Sequence, residues 1–217
     1  MLRYQIAAMF VAVSLILVPT RVLTRPEALA APVLATQRDN PIAGTYFVTE
    51  GALSKPSAHT PTWIAYTYLD QMRKPYGLRQ PKKEMIVRRI ARHETGGYTV
   101  HMEQQLHGRP VFGGELALRI DAEGVIRRVE GTVYPQLASR VFKKFPALSV
   151  RRAEQKARAS YKGAGQLRAQ PVTSLYYLPA RAGVPLVYDF TFQVEGAADS
   201  QAIYRAQVHA VMGHVLK

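Results

Sequence analysis

The 217-residue sequence contains no cysteine, so a disulfide framework, a thiol nucleophile and a thiolate metal site are all excluded. A chain of this length can bury a sizeable core without such staples, and the absence does not argue against export. Acidic residues are also scarce: 15 Asp and Glu stand against 29 Lys and Arg, for a net charge of +14. The cations occur as short pairs along the chain, among them Lys82-Lys83, Arg88-Arg89, Arg127-Arg128, Lys143-Lys144 and Arg151-Arg152. A solvated basic face is the simplest reading, with an acidic protein partner as the alternative. Aromatics do not interleave with these pairs as in a single-strand stacking platform, so no nucleic-acid partner is expected.

Catalytic signatures are missing too. His93-Glu94 is followed by Thr95-Gly96-Gly97, so there is no His-Glu-x-x-His pair of imidazoles for zinc. Ser139, Ser149 and Ser174 lack a Gly-x-Ser-x-Gly turn, and Gly113-Gly114 lacks the Lys of a phosphate loop. His101 and His107 read as surface or hydrogen-bonded side chains rather than ligands. The expectation is a non-enzyme with no cofactor and no metal.

What is present begins with an address. Arg3 precedes thirteen uncharged residues from Ile6 to Val18, too few for a comfortable span and suited to a signal-peptide core. Ala28-Leu29-Ala30 before Ala31 fits a small-x-small cleavage point, so residues 1–30 read as a leader cut between Ala30 and Ala31. No stable membrane span is expected after cleavage, and the location implied is secreted, periplasmic or cell envelope. Residues 31–60, rich in Pro, Ala, Ser and Thr, read as a flexible arm or linker with one strand-like patch at Thr45–Val48.

Residues 61–140 form the first expected unit. Thr60 or Thr62 caps a helix with Pro61 in its first turn, Trp63 as a core anchor, and an end at Pro75-Tyr76-Gly77. Strands follow at Glu84–Arg92, Tyr98–Leu106, Val111–Asp121 and Val125–Tyr134, broken at Gly108-Arg109-Pro110 and Ala122-Glu123-Gly124. Within this meander Gly113-Gly114 suggests a bulge or close backbone approach, and of Gln104 and Gln105, on opposite faces of a strand, at most one is buried.

Residues 141–217 form the second. Ser149 caps a helix over Val150–Tyr161 with Ala153, Ala157 and Tyr161 on one face. Strands follow at Thr173–Leu178, Leu186–Val194 and Ile203–Val211, the middle one alternating strictly through Leu186, Tyr188, Phe190, Phe192 and Val194.

The order Gln104-Gln105, Gly108, Pro110, Val111-Phe112-Gly113-Gly114-Glu115 resembles the core of the fungalysin/thermolysin propeptide (FTP) domain. Tyr76-Gly77-Leu78 and the run through Gly124 to Gly131 resemble its flanking segments. The second unit resembles a PepSY domain through Leu148-Ser149, Ala153, Ala157, Leu186-Val187-Tyr188 and Val208 to Leu216. It departs at His209, where that family usually has Asp, and at Met212, where it often has Thr. The resemblance implies an α+β fold of two cystatin-like units, each a helix packed on an antiparallel sheet. It also implies a secreted zinc metalloprotease as partner, inhibited or helped to fold in trans, with Gly213, His214, Val215, Leu216 and Lys217 as the segment that enters its cleft. The alternatives are the pro-region of a truncated or split precursor, and an envelope module with another ligand.

Overall fold

The computed structural model describes residues 33–34, 44–141, 143–179, 183–196 and 202–216; the expected leader, Ala30, Ala31 and Lys217 lie outside them. The chain is mixed α and β, mostly strand. In order it forms β1 (Val33–Leu34), β2 (Thr45–Glu50), α1 (Pro61–Gln71), the single turn α2 (Pro81–Glu84), β3 (Met85–Arg92), β4 (Tyr98–Leu106), β5 (Arg109–Ile120) and β6 (Ile126–Val133). A 3-10 turn at Leu137–Ser139 leads to α3 (Val150–Ala159), β7 (Gln166–Leu167), β8 (Val172–Tyr177), β9 (Leu186–Glu195), β10 (Ile203–His209) and β11 (Val215–Leu216).

Antiparallel pairing runs β3-β4-β5-β6-β2-β1 in the first half and β8-β9-β10-β11 in the second, with β7 on the far end of β9. The two runs join at one place, where Val111 of β5 lies parallel to Tyr177 of β8. The inward residues of the first run, including Val100, Met102, Leu116, Leu118 and Val129, pack against Ile64, Ala65, Tyr68 and Leu69 of α1. Each such side chain is worth about 1.5–3 kcal/mol of burial, so a one-residue slip of β4 or β5 would forfeit several of them at once. Register is therefore set by the alternation in the sequence.

Trp63, expected in the core, is instead 47% exposed, with its ring 3.9 Å from that of His59. Helical geometry explains the correction: Ile64, Ala65, Tyr68 and Leu69 recur at i, i+1, i+4 and i+5 and take the buried face, leaving Trp63 at its margin. Thr60 is the cap, its Oγ1 accepting from the Trp63 N–H at 3.4 Å. The expected arm also needs correction from Gly44 onward. Strand β2 pairs along its length with β6, and Phe47 and Leu53 are buried in the first core. Ser54 Oγ accepts from the Ile126 N–H at 2.9 Å, which ties the following segment to the sheet despite its loop-like composition.

The second core gathers Ala153 and Ala157 of α3 with Leu186, Tyr188, Phe190 and Phe192 of β9 and Ala206 and Val208 of β10. The helix is shorter than its apolar spacing suggests; it ends at Ala159, and Tyr161 packs on Tyr204 from beyond it. Leu106 and Val111 belong to this core although they precede residue 141, because the β4–β5 hairpin reaches across, and Leu137 joins it from the 3-10 turn. Strand β9 is not one-sided as its alternation suggests: Val187 and Asp189, on its other face, are buried too.

Gly131 shows what holds β5 and β6 together. Its φ is +138°, and a Cβ there would fall on the Glu115 carbonyl. Gly131→Ala is expected to cost about 3 kcal/mol, from strain and forced separation of the strands. Gly108→Ala, in a turn with open space around it, should cost about 1 kcal/mol from the positive φ alone. Urea unfolding of both variants checks the difference.

Candidate interaction site

The hairpin between β4 and β5 closes through His107 and Gly108, with φ of +49° and +73°. This is a two-residue turn with both positions left-handed, which matches the twist of the flanking strands. Arg109 and Pro110, expected in the break, already belong to β5 and pair with Leu106 and Gln105. The next pair is Glu103 with Glu115, so Val111, Phe112, Gly113 and Gly114 all stand opposite Gln104 alone. That excursion is the bulge expected from Gly113-Gly114, and it carries Val111 over to β8.

Gln104 repairs the ladder that the bulge interrupts. Its side chain is buried, Oε1 accepts from the Tyr134 N–H at 2.8 Å, and Nε2 donates to the Tyr134 carbonyl at 2.8 Å. A side-chain amide thus pairs with a backbone residue as a strand would. Gly114 is required beside it, since a Cβ would stand 2.8 Å from Gln104 Cβ. Gln105 is half-buried on the other face. Tyr76 is buried in the first core with its ring 4.4 Å from Phe47, and Gly77 lies against Pro135 with no room for a side chain. Gly113 faces the Tyr134 hydroxyl. Three motif residues, Gly77, Gln104 and Gly113, therefore meet around Tyr134-Pro135, where the chain leaves the first sheet. Gly124 sits in the β5–β6 turn against the Ser57 carbonyl, and Glu115 is exposed on the outer sheet face.

Phe112 is 46% exposed and stacks on Tyr176, with ring centroids 5.2 Å apart. Beneath it lies a polar group that the sequence did not reveal. The Tyr176 hydroxyl donates to Asp189 Oδ2 at 2.9 Å and accepts from Gln207 Nε2 at 2.7 Å, while Arg205 Nε donates to Asp189 Oδ1 at 2.9 Å. Burial, and then the Asp189 carboxylate, push the Tyr176 hydroxyl up to about 12. Asp189, Arg205 and Gln207 come together only through cross-strand pairing of β9 and β10, and their spacing in the chain carries no signal.

Past β10 the chain reverses through residues 210–213 and returns as β11. His209 donates its N–H to the His214 carbonyl at 2.9 Å, and Gly213 donates to the His209 carbonyl at 2.8 Å. The expected occluding segment is therefore a short edge strand: Val215 and Leu216 pair with Val208 and Gln207, and on its other side β11 has no partner strand among the described residues. His214 is exposed, its ring 5.1 Å from that of His209.

His209 Nδ1 accepts from the backbone N–H groups of Val211 at 3.1 Å and Met212 at 3.2 Å. An Asp at this position, as the resemblance implies, could accept the same two donors, so the substitution retains the turn. The neutral tautomer that does this carries its proton on Nε2, which leaves no lone pair there for a metal. Among the described residues, no three His, Asp or Glu side chains are grouped to hold a metal ion. No helix among them is long and apolar enough to cross a membrane.

Residues 83–133 match the family model of the fungalysin/thermolysin propeptide motif. The match spans β3 to β6 and so includes Gln104, the bulge and Gly131. Thermolysins of Alicyclobacillus acidocaldarius subsp. acidocaldarius and Bacillus caldolyticus are 30% identical to this chain over 99 residues, 45% of this chain and 18% of theirs. The similarity lies in their propeptide region, and the chain spans about a fifth of their length. Among solved structures, the Bacillus megaterium YpeB C-terminal domain aligns over 86% of both chains at 12% identity, with a TM-score of 0.33.

Two predictions follow from this geometry. Gln104→Leu leaves the part-buried Tyr134 N–H and carbonyl without their Gln104 partners and is expected to cost about 2–4 kcal/mol, read by urea unfolding and by faster exchange of the Tyr134 amide. The second concerns pH. Burial, and then His214, hold His209 below its ordinary pKa. The unfolded chain therefore takes up the proton first, so the His209 contribution is complete above about pH 6.5 and is lost as pH falls through the lower folded value. Thermal midpoints should drop below pH 6.5, and His209→Asp should flatten that drop.

Proposed function

We propose that this protein is a secreted or periplasmic propeptide-like protein that acts in trans on a thermolysin-like zinc metalloprotease, as inhibitor, folding chaperone or both. In this reading it is not itself an enzyme. Residues 1–30 are a cleaved leader, the FTP-like unit extends to about residue 140, and the PepSY-like unit follows, each a cystatin-like helix-on-sheet layer. The observation that carries the reading is that the motif residues build one device: the Gln104 clamp and the β5 bulge that join the propeptide-type sheet to the second sheet.

A propeptide needs a surface that a protease can engage through its backbone. The edge of β11 supplies one, since an unpaired strand edge offers main-chain donors and acceptors to an extended cleft. Gly213 to Lys217 is the segment assigned to that contact. Asp189, Arg205 and the Phe112–Tyr176 stack brace the sheet from which it projects.

Thermolysin serves as the probe. Titrating the full chain into it should give saturable inhibition, and deletion of Gly213 to Lys217 should weaken that inhibition by about tenfold or more. The same chain should raise the yield of active thermolysin recovered from denaturant. Neither inhibition nor a gain in refolding yield would reject the role in trans.

A further inference from the structure

Between Arg140 and Tyr188 ten Lys and Arg stand with one acid, Glu154, so the charge is less evenly spread than a glance along the chain suggests. Glu154 is taken by Arg158. Two of the remaining cations, Lys156 and Lys143, flank the turn between β10 and β11, and a third, Arg152, lies nearby along α3. Lys156 and Leu148 close over Gly213, their Cε and Cδ2 lying 3.0 and 2.9 Å from where a Cβ would stand. Arg152 is one helical turn before Lys156, on the same side of α3. Lys143 approaches from the other side, where it lines a cleft of about 390 Å³ with Val184, Leu186, His209, Val211 and Met212. Lys143, Arg152 and Lys156 are exposed and form no ion pair among the described residues.

This arrangement is locally unfavourable. Arg151 and Arg152 occupy the first turn of α3, which carries no acid, although the positive end of a helix favours negative charge. Arg152 and Lys156 also repel at i, i+4 spacing. No carboxylate among the described residues pairs with Lys143, Arg152 or Lys156. An anion from outside would relieve the repulsion. The floor of the cleft is aliphatic, and Met212 at its rim is 73% exposed. The turn leads into β11, whose outer edge pairs with no strand among the described residues.

We infer that the cleft lined by Lys143, with the β10–β11 turn that Lys156 closes over and the edge of β11, is a docking site for an extended acidic segment of a partner protein that carries an apolar side chain between its carboxylates. The apolar side chain fills the cleft, the carboxylates meet Lys143, Arg152 and Lys156, and the segment's backbone continues the sheet. An aliphatic cleft beside a strand edge suits a peptide; no exposed aromatic ring lines it to stack a nucleobase. The inference goes beyond the proposed function and holds whether or not the partner is a protease.

The test uses the full chain and a fluorescently labelled peptide of alternating Glu and Leu, read by anisotropy. Saturable binding is expected, weakened about tenfold by Lys143→Glu with Lys156→Glu and to a similar degree by raising the salt concentration. A run of Glu alone should bind more weakly, as should the alternating peptide to Met212→Glu. If the charge-reversed pair does not fold by circular dichroism, Lys143→Gln with Lys156→Gln replaces it. The inference is overturned by absence of binding, by equal binding to wild type and the charge variant, or by equal binding of the run of Glu. Tighter binding of duplex DNA or of phosphatidylglycerol vesicles than of the peptide would also overturn it.

Discussion

A single side-chain amide holds this structure at its weakest seam. Where β5 bulges away from β4, four residues oppose one, and the backbone of Tyr134 would be left without a ladder partner. Gln104 supplies both the donor and the acceptor. Unpaired buried backbone groups are costly, and Gln is a buried residue that offers both functions in one plane at the reach of a neighbouring strand. The bulge can exist because of this clamp, and because of the bulge Val111 reaches β8 and the two sheets touch.

The rest of the molecule depends on that contact in a graded way. The first sheet and α1 share a core that is nearly independent of it, while the second core takes in Leu106, Val111 and Leu137 from before residue 141. The second core thus draws on residues from both sides of residue 140. Phe112, one residue past the crossing point, lays its ring on Tyr176 and so over the buried Asp189. Asp189 would be expensive without Arg205, since a buried carboxylate needs a partner. Motif residues in the first sheet thereby reach the face of the sheet that carries the C-terminal strand.

At that end, polar economy takes a different form. His209 accepts two backbone N–H groups in the β10–β11 turn, a task a carboxylate could also perform, but it adds no negative charge to a turn ringed by Lys143 and Lys156. A carboxylate would have neutralised part of that ring. The imidazole keeps the turn closed and leaves the cations available to something outside the chain.

Much of this was legible before any coordinates. Hydrophobic alternation is a local property of strands, and turn chemistry is written in Gly and Pro, so Tyr98–Leu106 coincides with β4 and the meander after it was readable to within a few residues. The bulge at Gly113-Gly114 and the burial of one of two adjacent glutamines also follow from local rules. What the sequence could not decide are facts about two distant segments at once. That Tyr134 is the partner of Gln104, that Trp63 faces out, that the arm from Gly44 joins the sheet, and that Asp189, Arg205 and Tyr176 meet all depend on which strands lie side by side. Pairing of that kind is selected by the whole core, through burial summed over many contacts, and no single stretch of residues encodes it. By itself the sequence determined the strands, the turns and the family motif; the tertiary structure alone decided what those strands enclose and which charges around the β10–β11 turn find no ion-pair partner among the described residues.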